Sequence, residues 1–482
     1  MTDARITSQA ISLTPLSPLH IGCGEDYEPT NYVIHQNVLY SFDSAVVPMD
    51  TAMRKDLLAA VCSGSIPSVA KFFQDKAEFF RIFSEHALPI CSHCVERHRL
   101  MVNEEETKNQ NKIARTTYCA TNDGNVYYIP GSAVKGVIHT ALLNRVNAGE
   151  PHDEEDDLDK KILGGTFSNS PMRFLKVADF LPTGSVPSRI IMAKRFYKNN
   201  VNKRGGLRMP FEILERGAVR PFLGSFGLTP PNVKQRSSYV YGSVEEIFRD
   251  LNAYYTPILK KEIENYARIS AGRAWSSAVL QLLQKLSEDI QRNRIAIIRI
   301  GKNVGAESIV LKGNVASINK IKGKTSTITE WRIFEANEIL PFGWCLVECT
   351  DDPIREAVKS FCSQQPETPV IDLTDLFAQR KAILQEVRRK EAEAIRRSQL
   401  SPEKLLIEDM VQKIKTSAGD LKPGSELYNE AWNFLQTALS WSVDLQIEVA
   451  HELGPVAKAK NMYQGKRAKE LKTVFRTLRQ EN

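Results

Sequence analysis

Alternating apolar and polar positions open the chain. Residues 6–22, ITSQAISLTPLSPLHIG, alternate before a Gly-rich stretch, which predicts a strand that runs into a loop. Further strands are predicted where short apolar runs recur, at residues 31–34, 37–43, 172–180 and 294–300. Helices are predicted where apolar residues recur every three or four positions, at residues 51–61, 68–86, 137–146, 243–269 and 275–293. Residues 114–130 predict a hairpin with Asp-Gly-Asn as its turn.

This order of short strands, helices and Gly loops favours an α+β fold with more than one β-α-β-like unit. Gly22 and Gly24 supply only G-x-G, without the third Gly and the helical start of a dinucleotide-binding fingerprint. A split β-α-β, ferredoxin-like layout is the alternative that suits such short elements.

The composition changes near residue 373. Residues 375–399 are dense in charge and contain no Gly or Pro, which predicts a solvated helix that acts as a semi-rigid spacer. Beyond it, apolar residues at helical spacing predict a small packed bundle, namely Leu405, Leu406, Met410, Val411, Ile414, Trp432, Leu435 and Leu439. We therefore expect a core of residues 1–372 and a separate helical region of residues 373–482.

The segment YIPGSAVKG, residues 128–136, places a glycine turn at the mouth of a predicted helix. The first N–H groups of a helix lack internal partners and carry the positive end of its dipole, so anions bind there. Gly131 permits close approach, Ser132 offers a hydroxyl, and Lys135 adds a full charge one turn later. A capped helix with a solvated Lys is the structural alternative, and this is not a Walker loop.

Two later segments combine cations with glycines or aromatic rings. Residues 195–208, RFYKNNVNKRGGLR, form a basic insertion between two apolar runs. Residues 299–308, RIGKNVGAES, form a second Gly-rich loop, and LPFGW follows at residues 340–344 as a predicted core strand.

The order of these features resembles the RAMP superfamily of CRISPR proteins. The resemblance rests on LSPLHIGCG at residues 16–24, the helix mouth, the basic segment that ends in MPFEIL, and the late Gly loop. It covers about residues 11–348 and implies an RNA-recognition-like, ferredoxin-type fold with insertions. Within the superfamily, the chain is similar to the Csm-type subunit at the crRNA 3′-end side of a type III-A effector complex.

The resemblance implies that crRNA phosphates contact the helix mouth and the Gly loops. It also implies that the basic segment is a thumb-like hairpin, whose cations attract phosphates and whose rings stack on bases. A solvated hairpin and a purely structural Gly loop are the alternatives. The expected RNA-binding residues are His20, Gly22, Gly24, Gly131, Ser132, Lys135, Lys194, Arg195, Phe196, Tyr197, Lys203, Arg204, Gly301, Lys302 and Gly305.

Two candidates for catalysis lie near the first Gly loop. Related subunits cut target RNA with a loop aspartate, and Asp26 occupies a nearby position, although the surrounding residues depart from the cutting pattern. Other RAMP branches use a His as general acid or base, and His20 precedes the loop. We expect a turn role for Asp26 and a backbone or RNA contact for His20, with endoribonuclease activity as the alternative.

A Cys-x-x-Cys motif is the candidate metal site. Cys91 and Cys94 have His98 close by in sequence, and Cys119 or His86 would complete four Zn²⁺ ligands. A single Cys-x-x-Cys is half of a zinc signature, so we expect free thiols and no required cofactor, with structural zinc as the alternative.

Composition narrows the class of partners. The chain has 482 residues and a net charge of +7, which favours a polyanion partner. No apolar run is long enough to span a bilayer, no signal peptide is evident, and eight cysteines in such a length do not form a disulfide framework. We expect a cytoplasmic protein with no membrane partner.

These observations together predict a non-catalytic, crRNA-binding subunit that caps a type III complex at the guide's 3′ side. Its expected partners are crRNA, target RNA and other CRISPR effector subunits, and endoribonuclease action in crRNA maturation or target cleavage is the alternative. The C-terminal region ends in GKRAKELKTVFRTLRQ, a basic sequence for which we expect a protein partner.

Overall fold

A computed structural model of the chain describes residues 7–103, 112–121, 124–150, 160, 163, 170–197, 206–230, 239–312, 320–321, 324–325, 329–334, 338–465 and 467–480. These residues fall into two compact units, Met1–Arg380 and Lys381–Asn482. The change of composition near residue 373 coincides with the start of a long helix at Thr374, and that helix continues across the unit boundary.

The strands, numbered in chain order, are β1 (Thr7–Pro15), β2 (Gly22–Tyr27), β3 (Tyr32–His35), β4 (Val38–Ser41), β5 (His86–Pro89), β6 (Ile113–Thr116), β7 (Tyr118–Thr121), β8 (Gly124–Tyr127), β9 (Leu175–Val177), β10 (Leu181–Pro182), β11 (Ser188–Tyr197), β12 (Arg208–Leu214), β13 (Phe222–Leu228), β14 (Ile295–Arg299), β15 (Lys320–Ile321), β16 (Lys324–Thr325), β17 (Thr329–Phe334), β18 (Ile339–Leu340) and β19 (Trp344–Cys349).

The α-helices are α1 (Thr51–Cys62), α2 (Ile66–Asp75), α3 (Ala77–Phe80), α4 (Ser92–Val102), α5 (Gly131–Asn147), α6 (Val244–Ala267), α7 (Arg273–Lys285), α8 (Ser287–Gln291), α9 (Glu356–Ser363), α10 (Thr374–Ser398), α11 (Pro402–Thr416), α12 (Glu426–Ala438), α13 (Val443–Ala459) and α14 (Ala468–Leu478). Within the part of the chain just described, no helix is both long and apolar enough to cross a bilayer.

The first sheet forms the centre of the larger unit. Its strands follow the order β10-β13-β1-β19-β14, and β9 pairs with β13. The predicted first strand is therefore central, with Ile11 and Leu13 fully buried between β13 and β19. Helix α6 packs against β14 and α5, and one apolar core joins this sheet to α5, α6 and α7. The predicted α+β fold is confirmed.

The second sheet follows the order β18-β17-β11-β12-β6-β2. Its edge strand β2 covers residues that the sequence predicted as a Gly loop. They pair with β6 through an irregular register between Gly22 and Asp26, which satisfies backbone groups that a loop would leave to water. The predicted hairpin is present as β7 and β8.

Four helices, α11 to α14, build the core of the smaller unit. Met410, Val411, Ile414 and Leu435 are buried as the apolar stripe predicts, whereas Leu406 is 52% exposed. Ile407 takes the inward position instead, because it shares helical phase with Met410, Val411 and Ile414.

Candidate nucleic-acid interface

Three cations face one another across three neighbouring strands. On β11, Lys194 is paired in register with Arg208 on β12 and with Arg332 on β17. Residues paired directly across antiparallel strands point to the same face of a sheet. The second sheet therefore presents a line of three positive side chains on one face.

Aromatic rings lie among these cations. The Lys194 Nζ atom is 5.4 Å from the ring centroids of both Phe196 and Phe334. The Arg332 guanidinium carbon is 5.1 Å from the Phe196 ring, and that of Arg208 is 5.7 Å from the Phe334 ring. We call these five residues the basic–aromatic row.

Helix α4 borders the basic–aromatic row. The Arg97 Nη1 atom donates a 3.0 Å hydrogen bond to the Arg208 carbonyl oxygen, and the His93 ring lies 6.2 Å from the Phe334 ring. A fourth cation and a further ring therefore extend the same surface beyond the sheet.

Like charges placed opposite one another destabilise a sheet. In the part of the chain that the structure describes, neither Lys194 nor Arg208 forms an ion pair with a carboxylate. Cation–π contacts with the two Phe rings offset part of the repulsion. A phosphate backbone would offset more of it, and cations interleaved with rings suit single-stranded nucleic acid.

Sequence reasoning identified part of this surface. Lys194 and Phe196, two of the expected RNA-binding residues, belong to the row. Arg195 alternates to the other sheet face, and its N–H donates to the Leu207 carbonyl. Tyr197 is described for its backbone only, and Lys203 and Arg204 lie outside the described residues.

The row also contains residues that sequence reasoning missed. Arg332 and Phe334 alternate in the segment WRIF, which was a strand signal, but only the β11–β17 register brings them to Lys194. The surface is therefore assembled from three strands, and one basic segment of the sequence could identify only part of it.

The first and the late Gly loops meet one another. The Lys302 N–H donates a 2.8 Å hydrogen bond to the His20 carbonyl oxygen. Gly301 has φ +99°, and a Cβ there would lie 2.5 Å from that same oxygen, so only glycine fits. The Lys302 side chain crosses Gly22, where a Cβ would lie 3.2 Å from Lys302 Cδ. Two loops far apart in sequence therefore form one site with a lysine at its surface.

His20 supports this pair of loops from beneath. Its side chain is fully buried, and Nδ1 donates a 2.8 Å hydrogen bond to the Glu212 carbonyl oxygen. Its Nε2 atom has no hydrogen-bond partner among the described residues. Burial lowers the pKa of His20, although the Glu212 carbonyl opposes that shift, so the ring is neutral near pH 7. Gly24 and Gly305 lie in the left-handed region with open space around them.

A buried carboxylate lies next to His20. Glu212 accepts hydrogen bonds from the hydroxyls of Tyr127 (2.6 Å) and Tyr27 (3.1 Å) and from the Thr116 N–H (2.8 Å). Burial raises the pKa of Glu212, but His86, Tyr127 and the Thr116 N–H outweigh it, and the net pKa is lowered. This network was not predicted, and it ties β2, β6, β8 and β12 together beneath the loops.

The N-terminus of α5, residues 131–135, differs in part from its prediction. The Gly131 N–H donates a 2.7 Å hydrogen bond to the Asp179 carboxylate, and a Cβ there would lie 2.5 Å from the Val177 carbonyl oxygen. Gly131 is thus packed against β9, and a side-chain carboxylate occupies the position expected for a phosphate. Ser132 is exposed, and the Lys135 Nζ atom donates to the Leu175 carbonyl oxygen at 2.9 Å. Phosphate binding by Ser132 and Lys135 stays a prediction.

The two catalytic candidates occupy different environments. Asp26 is exposed on the edge strand β2, opposite Ala114 of β6, so it belongs to a strand and not to the expected turn. His20 is buried, as described above. Asp26 is therefore open to solvent, whereas the His20 ring is not, and catalysis by either residue stays a prediction.

The structure brings two of the four candidate metal ligands together. The Sγ atoms of Cys91 and Cys94 are 3.4 Å apart at the start of α4. The His98 ring is buried and turned toward Gln74 Oε1 and the Tyr32 hydroxyl, while Cys119 is exposed on β7. Within the described ranges, no group of three or more His, Cys, Asp or Glu side chains is arranged to hold a metal ion.

The fold and the interface define a protein with an RNA-recognition-like core. Residues 12–361 match the model of the RAMP superfamily, which is more than half of the chain. The chain belongs to the RAMP superfamily, and the family membership predicted from the sequence is confirmed.

The chain is similar to one curated protein in particular, the CRISPR system Cms protein Csm5 of Methanocaldococcus jannaschii. The two are 24% identical over 182 residues, which is 34% of this chain and 41% of that protein. The chain thus spans less than half the length of this relative in the matched region.

Two solved structures are also similar. A chain of the Csm–crRNA–target RNA ternary complex of a type III-A CRISPR-Cas system, determined by cryo-EM, is 15% identical with a TM-score of 0.46, over 71% of this chain and 100% of that chain. The crystal structure of T. onnurineus Csm5 is 14% identical with a TM-score of 0.39, over 70% of this chain and 99% of that chain.

Proposed function

We propose that the chain is a non-catalytic, crRNA-binding subunit of a type III-A CRISPR complex in antiviral defence, placed at the guide's 3′-end side. Membership of the RAMP superfamily and the similarity to a protein named Csm5 support this assignment. The single observation that carries it is the basic–aromatic row, in which Lys194 is in register with Arg208 and Arg332. Its partners are crRNA, target RNA and the other subunits of a cytoplasmic ribonucleoprotein.

The dimensions of the row suit a polynucleotide. Neighbouring strands are about 4.8 Å apart, so the line from Arg208 across Lys194 to Arg332 extends over about 10 Å. This length exceeds a single phosphate group, and the interleaved Phe rings offer stacking surfaces that accept any base. Backbone binding without base readout is the property a guide-binding subunit requires.

The environment of His20 supports a binding role over a catalytic one. Its ring is fully buried and neutral near pH 7, and one nitrogen is held by the Glu212 carbonyl. A general acid or base has to reach the reacting oxygen within hydrogen-bond distance. His20 instead positions the backbone to which Lys302 is attached.

The test of RNA binding compares two double variants of the full-length protein. Lys194→Ala/Arg208→Ala removes two cations of the row, and Lys260→Ala/Lys285→Ala removes two exposed cations from α6 and α7. Affinity for single-stranded RNA is measured between about 50 and 200 mM salt. We expect the row variant to lose about 1.4 from the slope of log K against log salt, two phosphates at ~0.7 each, and the control to keep the slope.

The test of position uses the assembled complex. A photoreactive uridine is placed either near the 3′ end or near the 5′ end of the crRNA, and the cross-linked subunit is identified. We expect this chain to cross-link from the 3′ position only. Cross-links along the whole guide would identify a repeated backbone subunit and contradict the proposed terminal position.

A further inference from the structure

An open groove lies between α13 and α14 in the smaller unit. Its volume is about 610 Å³, within the usual range of ligand clefts at ~300–1,000 Å³. Lys458 lines it from α13, Lys472 and Arg476 line it from α14, and Arg479 lines it from the position directly after α14. All four cations are exposed to solvent. This groove belongs to neither the basic–aromatic row nor the Gly loops.

A glycine and a proline of α13 lie at the groove. Gly454 has no side chain, and a Cβ there would lie 3.2 Å from Arg479 Nη2 and 3.8 Å from the Phe475 ring edge. Beside it, Pro455 interrupts the hydrogen bonding of α13 because proline has no N–H. The Phe475 and Tyr463 rings, whose centroids are 5.8 Å apart, line the groove between the cations.

Three of the four groove cations have no carboxylate partner among the described residues. None of the described residues that line it is acidic, and Lys458, Lys472 and Arg476 form no ion pair with any carboxylate in the described part of the chain. Elsewhere in the same unit, lysines are paired across helices, as Lys404 is with Glu448 at 3.0 Å. A concentration of unpaired cations in a concave site therefore distinguishes this groove from the ordinary surface of the bundle.

We propose that the groove binds a segment of single-stranded RNA. Lys472, Arg476 and Arg479 are spaced i, i+4 and i+7, so they lie on one side of α14 and extend over about 10 Å. That length follows several phosphates of a backbone and exceeds one anionic group. The half-buried Tyr463 ring offers a stacking surface for a base, which an acidic peptide does not require.

This inference revises what the sequence alone favoured for the C-terminal region, which was a protein partner. The basic residues of GKRAKELKTVFRTLRQ are not spread evenly around α14. Three of them line the groove, opposite the buried Leu471, Val474 and Leu478. The proposal for the groove requires no assumption about the basic–aromatic row.

The experiment uses the full-length protein and a fluorescent oligouridylate as the probe. The groove variant is Lys472→Ala/Arg476→Ala, and Lys415→Ala/Lys422→Ala is a control of equal charge change on exposed residues of the same unit outside the groove. We expect the groove variant to lose about tenfold in affinity and about 1.4 in salt slope, and the control to keep both. The charge-preserving variant Lys472→Arg/Arg476→Lys should restore binding.

A second measurement separates this proposal from its alternatives. Ultraviolet cross-linking with 4-thiouridine RNA, followed by peptide mapping, should identify the peptide that contains Tyr463. Unchanged affinity together with cross-links confined to residues 1–380 would overturn the proposal. Loss of binding to partner subunits by the groove variant, with RNA affinity intact, would overturn it in favour of an acidic protein partner.

Discussion

Lys194 and Arg332 lie directly opposite one another on β11 and β17, and both cations contact the same ring, that of Phe196. The distances to the ring centroid are 5.4 Å for Lys194 Nζ and 5.1 Å for the Arg332 guanidinium carbon. The ring partly offsets a repulsion that the strand register imposes. A site of this kind is preorganised to bind an anion.

The Lys194→Gln variant should separate binding from stability. Removing the central one of three opposed cations relieves repulsion and loses two cation–π contacts, so the free energy of unfolding should change by less than about 0.5 kcal/mol. RNA affinity should still fall, with a salt slope about 0.7 shallower. Urea titration and fluorescence anisotropy on the same sample give both numbers. A large loss of stability with unchanged salt slope would assign Lys194 to the fold.

Two glycines of one loop provide a matched pair. Gly301 and Gly305 both have positive φ, +99° and +77°, but a Cβ on Gly301 would meet the His20 carbonyl while Gly305 has open space. Gly305 has ψ 153°, a conformation essentially confined to glycine, so Gly305→Ala should cost about 1–3 kcal/mol from backbone strain alone. Gly301→Ala should cost at least ~2 kcal/mol more and weaken RNA binding, because it separates Lys302 from His20. Equal costs in urea titration would show that the two loops are not held together at Gly301.

The protein should become less stable at acidic pH, because the unfolded chain can protonate His98 while the folded chain keeps it neutral. Burial lowers the pKa of His98 to about 4, and its side chain is 4% exposed. The unfolded chain binds a proton below pH ~6.5 while the folded chain does not, so stability rises with pH between about 4 and 6.5. The stabilisation that His98 contributes is fully present above pH ~6.5. Near pH 4 the free energy of unfolding should be lower by about 3 kcal/mol.

The measurement compares wild type with His98→Gln across that pH window. The variant should be less stable at pH 7, because His98 bonds both Tyr32 and Gln74, but its pH dependence should be flatter. His451, which is exposed on α13, supplies the matched substitution His451→Gln as a control for the change of side chain. Parallel curves for wild type and His98→Gln would contradict the assignment.

Target cleavage by the assembled complex should not depend on Asp26. This carboxylate is exposed on an edge strand, opposite Ala114 of β6. Asp26→Ala should therefore leave every cut in the target RNA at its normal rate. His20→Ala should lower protein stability, because it leaves a cavity beside Glu212, without abolishing any cut. Loss of one specific cut near the guide's 3′ side in Asp26→Ala would identify an active nuclease.

Zinc should be absent from the purified protein. Cys91 and Cys94 are close enough to share a metal, but His98 is engaged with Gln74 and the exposed Cys119 lies on β7. Elemental analysis should find no stoichiometric zinc. About one equivalent, lost in Cys91→Ser/Cys94→Ser, would establish a structural site.

The local sequence pattern by itself determined many of the secondary-structure elements and indicated the family. Alternation predicted β1, helical spacing predicted α6, and Asp-Gly-Asn predicted the β7–β8 hairpin. The order of Gly loops and basic segments indicated the RAMP superfamily. These features depend on residues close together in the chain, where φ/ψ preference and side-chain period act directly.

The tertiary structure decided which distant residues share a surface. Strand register placed Arg332 opposite Lys194, although more than a hundred residues of sequence separate them. Packing brought Asp179 to the N-terminus of α5, where its carboxylate accepts a hydrogen bond from the Gly131 N–H. Helix phase placed Ile407 inside and Leu406 outside, and the missing side chain of Gly454 on α13 lets the Arg479 side chain approach that helix closely. Register, close packing and charge clustering arise from contacts between elements, and such contacts leave no periodic trace in the sequence of either element alone.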